Sequence, residues 1–583
     1  MTVDRRSEPT WAPTVLGAAV LWLPASGLIA ARVCALLTAS PCHLVGGAGL
    51  AAVTWPLRGP AAAFAPAPPD WLWWPLLVLL WVGPVAGGTW LWVRRLADPG
   101  ADGARWGGRA TERRLRVPEE PDRRRNRMAF GRSKARRGWI LAAKENISAT
   151  VFGLPGSSKT TGLVLPIAAE WYGPCVMTTV KGADLDVVYA RRAALGPVYV
   201  VAPAGLPDRP TARWSPVDYC ADAKAADRMA TWLADAASTA GDPRSGPWVD
   251  QAKAVVKGVL LAANLAGGDI TTFRRWLALA EDAVDEVREV LVDGGHPDVA
   301  DDYAAAFALH PDGVGSIKFT LGVITKVYAD EEVRATAAAS DFTAEEILDR
   351  CGTVCLIASE ADGERFAPLL TAITASIVHA AQARYQRTGR PLDPALGLVI
   401  DEAGNCFRYK ALPRLLTVGR GIGIVALTVW HDLSQLIGVL GREAANTVMN
   451  ASGLRMLLPG NADPETLRAF TNLLGRALVT RRSTSRGGGG TSTSEQLVET
   501  DLAPTHVLRE LPDFTAIAVY GNQRPVRVRL RRTYADPDLV SLLAGKPAPA
   551  AAAGATPPVV PPRPQQPPTT PRSRGPSPEE NNP

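Results

Sequence analysis

Ile147-Ser-Ala-Thr-Val-Phe-Gly153, followed by Gly153-Leu-Pro-Gly-Ser-Ser-Lys-Thr-Thr161, is the stretch that decides the fold. Its first part is apolar and β-branched and predicts a buried strand. Its second part carries glycines that allow backbone N–H groups to curl around phosphate oxygens. Gly162–Glu170 follows with helical character. Strand, glycine-containing loop and helix in this order predict a phosphate-binding site.

The loop residues have distinct predicted roles in holding ATP. Lys159 is expected to reach the β- and γ-phosphates, and Thr160 is expected to hold Mg²⁺. The usual pattern GxxxxGK[ST] requires Gly where this chain has Ser158, so the match is imperfect. The predicted ATP-binding residues are Gly153, Leu154, Pro155, Gly156, Ser157, Ser158, Lys159, Thr160 and Thr161.

A pair of acidic residues supports the same interpretation. Leu396–Ile400 is a continuous apolar strand that ends in Asp401 and Glu402. An acid at the carboxyl end of a buried parallel strand can reach Mg²⁺, and a second acid can polarise an attacking water. We therefore predict that Asp401 shares the metal with Thr160, and that Glu402 acts on water.

Three further polar residues are predicted to take part in catalysis. The strand Ile424–Val429 is followed by His431, with Gln435 one helical turn later. A polar side chain just beyond a strand next to the acid-bearing strand can sense the γ-phosphate. Arg420 precedes that strand, near an edge where the nucleotide of a neighbouring subunit could meet it. A capping histidine, a surface glutamine and an exposed arginine are the alternatives.

Together these segments resemble the conjugative coupling proteins of type IV secretion systems, the TraG/TraD-like membrane ATPases. The resemblance runs from about residue 139 to residue 532. It departs from the family at Ser158 (usually Gly), at Thr179 (usually Asp) and at His431 (often Gln). The segments that carry it are SSKTTGLVLP (157–166), Val180-Lys-Gly182, Ser215-Pro-Val217, Ser340-Asp-Phe342, Asp401-Glu402, RGIGI (420–424) and His431–Leu436.

The resemblance implies a RecA-like motor that uses ATP and Mg²⁺ and assembles as a homo-hexamer. In such rings an arginine of one subunit completes the site of its neighbour, which is the role implied for Arg420. The implied substrate is single-stranded DNA attached to a relaxase and passed to the type IV secretion channel.

Two N-terminal apolar stretches predict a membrane anchor within residues 1–95. The stretches run from about residue 14 to 31 and from 71 to 93, and the second has no charged residue. About 20 apolar residues cross a bilayer, and tryptophans flank the second stretch. Residues 43–55 are apolar but short and favour an interfacial or re-entrant segment.

The distribution of charge gives the expected orientation of this anchor. The net charge is +6, yet residues 94–137 hold fifteen basic and six acidic residues. Segment 96–138 is therefore predicted to be a basic juxtamembrane linker that can touch anionic lipid. Because basic residues also precede the first stretch, both termini and the ATPase domain are predicted to lie in the cytoplasm, with a multi-pass anchor in the cell membrane.

The order of strands and helices predicts an α/β fold with an all-α insertion. The RecA-like domain is expected at 139–220 and 339–535, the insertion at 221–338, and a disordered Pro-rich tail at 545–583. Residues 483–495 are predicted to be a flexible loop by composition. Two late segments, 514–520 and 524–532, predict an antiparallel strand pair whose arginines face water or phosphate.

Composition excludes some function classes and leaves others open. The seven cysteines show no CxxC spacing and the six histidines are scattered, which argues against a zinc site and against a metalloprotease. An FtsK-like double-stranded DNA translocase and a protein-secretion ATPase remain alternatives with the same core. A catalytically inactive membrane scaffold also remains, since Ser158 and Thr179 depart from the family.

Overall fold

The computed structural model describes residues 12–39, 43–45, 58, 60–96, 103–134, 138–207, 209–237, 246–487 and 490–545. The chain divides into two compact units. One comprises Met1–Arg105 with Gly475–Leu502, and the other comprises Trp106–Leu474 with Ala503–Pro583. The predicted Pro-rich tail lies outside the described residues from position 546 onward, as does most of the short apolar segment 43–55.

Strands are numbered here in chain order. They are β1 (His43–Leu44), β2 (Phe64–Ala65), β3 (Ala129–Ser133), β4 (Ile140–Ala142), β5 (Ala149–Phe152), β6 (Cys175–Thr179), β7 (Val198–Val201), β8 (Thr353–Ile357), β9 (Leu396–Ile400), β10 (Ile424–Trp430), β11 (Leu454–Leu457), β12 (Arg476–Gly487), β13 (Gly490–Asp501), β14 (Thr515–Tyr520) and β15 (Val526–Arg529).

The second unit is built on one sheet of eleven strands in the order β4-β3-β15-β14-β11-β5-β10-β9-β6-β8-β7. The strands from β11 to β7 pair in parallel. The remaining four pair antiparallel at one side. Every residue of β5, β6, β8, β9 and β10 is buried, because helices cover both faces of a parallel sheet. This burial explains why these strands are continuous apolar runs in the sequence.

The segment predicted as a linker contributes to this sheet. Its strand β3 pairs with both β15 and β4, and the helix Arg109–Leu115 precedes it. The predicted antiparallel pair is confirmed as β14 and β15. The expectation that its arginines face solvent is wrong at Arg531, whose side chain is 1% exposed. Arg531 is buried because carboxylates surround it.

Helices flank the sheet and link its strands. They are Leu165–Glu170, Gly182–Ala193, Pro216–Tyr219, Ala344–Asp349, Gly363–Thr388, Ala403–Cys406, Leu412–Ile422, Leu433–Leu440, Arg442–Ala451, Pro464–Leu474, Thr505–Arg509 and Pro537–Leu543. Gly363–Thr388 is the one helix among the described side chains that is apolar and long enough to cross a bilayer. Since 83% of its most apolar stretch is buried in protein, it is a core helix.

An all-helical segment separates β7 from β8. Its helices are Ala223–Ala237, Gly246–Leu265, Ile270–Leu279, Val284–Asp293, Pro297–Phe307, Pro311–Thr325 and Glu331–Thr336. Gly246–Leu265 is central, and a Cβ added at Gly258 would lie 3.0 Å from Tyr303 Cβ. Among the described residues 209–237 and 246–352, the structure has no strand, as the sequence predicts.

Both predicted membrane stretches are helical, and each helix has 27 residues: Ala12–Thr38 and Asp70–Leu96. They contact each other through a small cluster that includes Cys34, Trp73 and Leu77. Apolar side chains elsewhere on them face outward; exposed examples are Leu36, Leu37, Trp71, Trp74, Val78, Leu79 and Val82. That these helices cross a membrane stays a prediction.

The prediction that residues 483–495 form a flexible loop is wrong. Strands β12 and β13 pair over twelve residues each, from Arg476 opposite Asp501 to Gly487 opposite Gly490. β-branched residues interleaved with serine and arginine favour the two strands. This hairpin belongs to the same compact unit as residues 1–105, whereas the sequence predicts it within the RecA-like domain.

Candidate functional site

The phosphate loop lies between β5 and its helix, as predicted. Gly153 N–H donates to the Trp430 carbonyl at 2.9 Å, which ties the loop to the neighbouring strand β10. A Cβ at Gly153 would lie 2.6 Å from Leu458 Cδ1 and 2.7 Å from Ser157 Oγ, so any larger residue there would have to displace both side chains. Gly156 has φ +85°, a conformation that glycine adopts without strain.

Ser158 departs from the usual loop pattern but keeps the backbone shape of a glycine. Its φ is +64°, in the left-handed region that non-glycine residues rarely occupy. Its carbonyl accepts a hydrogen bond from Gly162 N–H at 2.8 Å. The loop therefore retains the curved backbone that presents N–H groups to phosphate. The backbone strain of this conformation falls on Ser158.

The acid-bearing strand ends beside this loop. Strand β10 pairs in parallel with β5 on one side and β9 on the other, so the carboxyl ends of all three lie at one sheet edge. Thr160 Oγ1 donates to Asp401 Oδ2 at 2.6 Å. Lys159 Nζ forms a short ion pair with Glu402 Oε1. The structure thus brings the predicted lysine, threonine and two acids together.

The surroundings of Asp401 are suited to binding a cation. Burial raises its pKa to about 6, although the hydrogen bond from Thr160 lowers it. Thr178 Oγ1 fixes the strand end by donating to the Asp401 carbonyl at 2.7 Å. Hydroxyl and carboxylate oxygens are the ligands that Mg²⁺ prefers. A buried carboxylate beside a threonine hydroxyl therefore fits a magnesium ion.

Glu402 is held as an anion by two partners. His431 Nε2 lies 2.6 Å from Glu402 Oε2, and Lys159 contacts the other oxygen. Burial alone would raise the pKa of Glu402, but the hydrogen bonds from His431 and Lys159 outweigh it and hold the pKa below its usual value. Glu402 also has φ +49°, a strained backbone immediately after the strand.

Gln435 supports His431. Gln435 Oε1 accepts the His431 backbone N–H at 2.9 Å, and Asn461 Nδ2 donates to the His431 carbonyl at 3.0 Å. Asp432 begins the following helix by accepting Gln435 N–H at 2.7 Å. The His431 side chain therefore faces Glu402 from a fixed backbone, while Gln435 lies behind it.

A pocket of about 380 Å³ opens over these residues. Its lining includes side chains that the sequence analysis did not assign to the site: Lys181, Asp184, Glu360 and Asn405. Their positions in the sequence could have identified them, because each of these residues follows the carboxyl end of β6, β8 or β9, and these ends lie at the same sheet edge. Thr179, where the family usually has Asp, donates to Asp184 Oδ2 at 2.9 Å.

Arg420 is not part of this pocket. It is exposed and lines a different cavity of about 720 Å³, together with Arg114 and Lys144. Ile147 and Gly453, which precede β5 and β11, line the same cavity. Arg420 therefore lies at the amino-terminal edge of the parallel strands, opposite the phosphate loop of its own chain.

Residues 110–553 match the family model described as "Type IV secretory system Conjugative DNA transfer". This is about three quarters of the chain. The chain belongs to that conjugative DNA-transfer family. Among curated protein sequences none matches it.

Solved structures of the bacterial conjugative coupling protein TrwB share the fold of this family member. An unbound form is 18% identical with a TM-score of 0.57, covering 74% of this chain and 93% of that chain. TrwB in complex with ADP and Mg²⁺ is 18% identical with a TM-score of 0.54, and TrwB with a non-hydrolysable ATP analogue is 17% identical with a TM-score of 0.54. Both cover 74% of this chain and 94% of that chain.

Proposed function

We propose that this chain is a membrane-anchored ATPase that couples ATP hydrolysis to the transfer of relaxase-bound single-stranded DNA into a type IV secretion channel. The observation that carries the ATPase proposal is the convergence of two distant segments. Thr160 Oγ1 and Asp401 Oδ2 are 2.6 Å apart, and Lys159 contacts Glu402. Membership of the conjugative DNA-transfer family and the nucleotide complexes of TrwB support it.

The residues of the site would have separate roles in binding ATP and in hydrolysing it. The loop N–H groups and Lys159 would bind the phosphates, while Thr160 and Asp401 would hold Mg²⁺. When bound, Mg²⁺ would neutralise charge on the phosphate oxygens. Glu402 would take a proton from the attacking water, and His431, held by Gln435, would orient Glu402 and sense the γ-phosphate.

The two partners of Glu402 would couple the availability of the base to nucleotide binding. Both oxygens of Glu402 are occupied, one by Lys159 and one by His431. Lys159 must leave Glu402 to reach a phosphate, and that movement frees one carboxylate oxygen for water. The base therefore becomes available when a nucleotide takes the lysine.

We propose that the helices Ala12–Thr38 and Asp70–Leu96 anchor the chain in the cytoplasmic membrane, with both termini inside. Exposed apolar side chains on both helices would face lipid hydrocarbon. The basic residues that follow the second helix favour the cytoplasmic side and anionic lipid.

We further propose a homo-hexamer in which Arg420 reaches the nucleotide of a neighbouring subunit. Arg420 lies at the strand edge opposite its own phosphate loop, where it cannot act on its own nucleotide but is exposed to a partner. An arginine supplied by a second chain stabilises charge in the transition state of phosphoryl transfer.

ATP turnover by the purified full chain in detergent, with single-stranded DNA, double-stranded DNA or a relaxase–DNA adduct, tests the proposal. Single-stranded DNA should stimulate turnover most, with steep salt dependence. Lys159→Ala should abolish turnover, whereas Lys326→Ala, at an exposed lysine of the all-helical segment, should not. Preferential stimulation by double-stranded DNA would favour an FtsK-like translocase. An active Lys159→Ala variant would contradict the assigned site, and an inactive wild-type chain would indicate a scaffold.

A further inference from the structure

The first turn of the phosphate-loop helix is not α-helical. Thr160–Val164 form a π-turn, in which Leu165 N–H donates to the Thr160 carbonyl. In an α-helix that N–H would bond to the Thr161 carbonyl instead. The corresponding π-type donor to Thr161 would be residue 166, but Pro166 has no N–H. The Thr161 carbonyl therefore lacks both the α-type and the π-type donor of its own helix.

A residue from a distant segment supplies the missing donors. Thr533 N–H donates to the Thr161 carbonyl at 3.0 Å, and Thr533 Oγ1 donates to the same oxygen at 3.2 Å. Thr533 is 5% exposed, so water does not readily replace it. A carbonyl oxygen has two lone pairs, and one threonine occupies both.

Thr533 belongs to the segment Leu530–Asp536, which we call the strap and in which Leu530, Arg531, Thr533 and Asp536 are buried. At the start of the helix, a Cβ added to Gly162 would lie 3.1 Å from Leu530 Cβ, so the two segments are in close contact. At the end of the helix, Arg531 donates to Glu170 Oε1 at 2.5 Å. The strap therefore holds the phosphate-loop helix at both ends.

Buried charges keep the strap in place. Glu170 Oε2 pairs with Arg124 at 2.5 Å, so both oxygens of this carboxylate are bonded. Asp536 accepts from Arg132 at 2.6 Å and lies 3.4 Å from Arg531. Breaking one member of such a buried network leaves an uncompensated charge, which makes movement of the strap costly.

We propose that Thr533 is a positioning residue for the magnesium–nucleotide complex, acting through the Thr161 carbonyl. The π-turn that Thr533 stabilises begins at Thr160, whose hydroxyl lies 2.6 Å from Asp401. Loss of one of the two donors weakens the hold on the Thr161 carbonyl, so that the turn relaxes toward an α-helical pattern and the Thr160 hydroxyl moves away from Asp401. The inference rests on the proposed function, because it assumes that Thr160 and Asp401 hold Mg²⁺.

Thr533→Val tests this with little change of shape, since it removes the hydroxyl donor and keeps the backbone donor. The matched control is Thr471→Val: Thr471 is 8% exposed and its hydroxyl also donates to a backbone carbonyl, that of Ala503, at 3.3 Å. Binding of a fluorescent non-hydrolysable ATP analogue to the full chain is measured with Mg²⁺ and with EDTA. Thr533→Val should leave the affinity in EDTA unchanged and reduce the Mg²⁺-dependent gain about five-fold.

Three further measurements sharpen the result. Thr533→Ser keeps the hydroxyl and should restore the gain seen in the wild-type chain. Thr471→Val should melt at a temperature similar to Thr533→Val but keep the full gain. Pro166→Ala returns an N–H to the helix, so adding Thr533→Val to that background should have a smaller effect than in the wild-type chain.

Equal Mg²⁺-dependent gains in Thr533→Val and Thr471→Val would overturn the proposal, as would a loss in Thr533→Ser. This failure is distinct from failure of the proposed function. If the wild-type chain bound the analogue without any Mg²⁺-dependent gain, the assignment of Thr160 and Asp401 as metal ligands would fall, and the role of Thr533 with it.

Discussion

Glu402→Gln separates the two roles that we propose for this carboxylate. As the base for water, Glu402 cannot be replaced by an amide, so kcat should fall about 100- to 10,000-fold. That loss corresponds to about 3–5 kcal/mol in the barrier. As the ion-pair partner of Lys159, however, Glu402 competes with the phosphates of ATP for the lysine side chain. The exposed fractions of the two side chains are 6% and 12%, so solvent screens this ion pair only weakly.

The second role predicts that Glu402→Gln binds ATP more tightly. A hydrogen bond between charged groups contributes about 1.5–3 kcal/mol, and part of it is lost whenever Lys159 moves to a phosphate. Removing the charge should therefore lower the Kd for ATP about ten-fold, or about 1.4 kcal/mol.

Steady-state hydrolysis and equilibrium binding of a fluorescent ATP analogue measure the two effects on one preparation. Glu360→Gln, at an exposed carboxylate that lines the same pocket, is the control and should change neither quantity more than two- to three-fold, about 0.5 kcal/mol. A kcat within ten-fold of wild type would refute the base assignment. A weaker affinity in Glu402→Gln would refute the competition between carboxylate and phosphate.

Three other changes have defined outcomes. Ser158→Gly should raise the free energy of unfolding by about 0.5–1 kcal/mol in thermal or chemical denaturation, because Ser158 has φ +64° and glycine relieves that strain. Asp536→Asn should lower it by about 2 kcal/mol at pH 7. Burial would raise the pKa of Asp536, but Arg132 and Arg531 lower it to about 2, so the stabilisation is complete above about pH 4 and is lost as the pH falls toward 2, where variant and wild type should converge in urea titrations. Arg420→Ala should reduce turnover of the assembled protein at least about ten-fold without changing the ATP affinity of isolated protomers, and an unchanged turnover would exclude its role in a neighbouring site.

The part of the site that the sequence predicts is the part encoded locally. A phosphate loop needs its glycines, lysine and threonine within a few residues, and a buried parallel strand such as Leu396–Ile400 is a continuous apolar run. Because parallel strands align their carboxyl ends, the acids at 401 and 402 could be expected near Lys159 and Thr160 once both strands were recognised.

Other features depend on partners that are distant in the chain. Arg531 alternates with apolar residues, a pattern that predicts solvent exposure. Its side chain is nevertheless buried, because it pairs with Glu170, which lies 361 residues earlier in the chain. Strand β4 has three residues and β11 has four, too few for a clear periodic pattern. The segment 483–495 has the composition of a linker, yet most of it lies in two twelve-residue strands that pair with each other.

Two residues with strained backbone lie where the nucleotide is proposed to bind. Ser158 and Glu402 both have positive φ, at +64° and +49°, and both line the same pocket. Each such residue costs about 1–3 kcal/mol unless the surroundings impose it. At Ser158 the imposed shape is the curl of the phosphate loop, and at Glu402 it turns a carboxylate from the end of β9 toward Lys159 and His431. Relief of the first strain by glycine should leave the loop competent, whereas relief of the second would remove the carboxylate from its partners. The two strains are therefore not equivalent. The strain at Ser158 is tolerated by the loop, whereas the strain at Glu402 orients the carboxylate that we propose as the base.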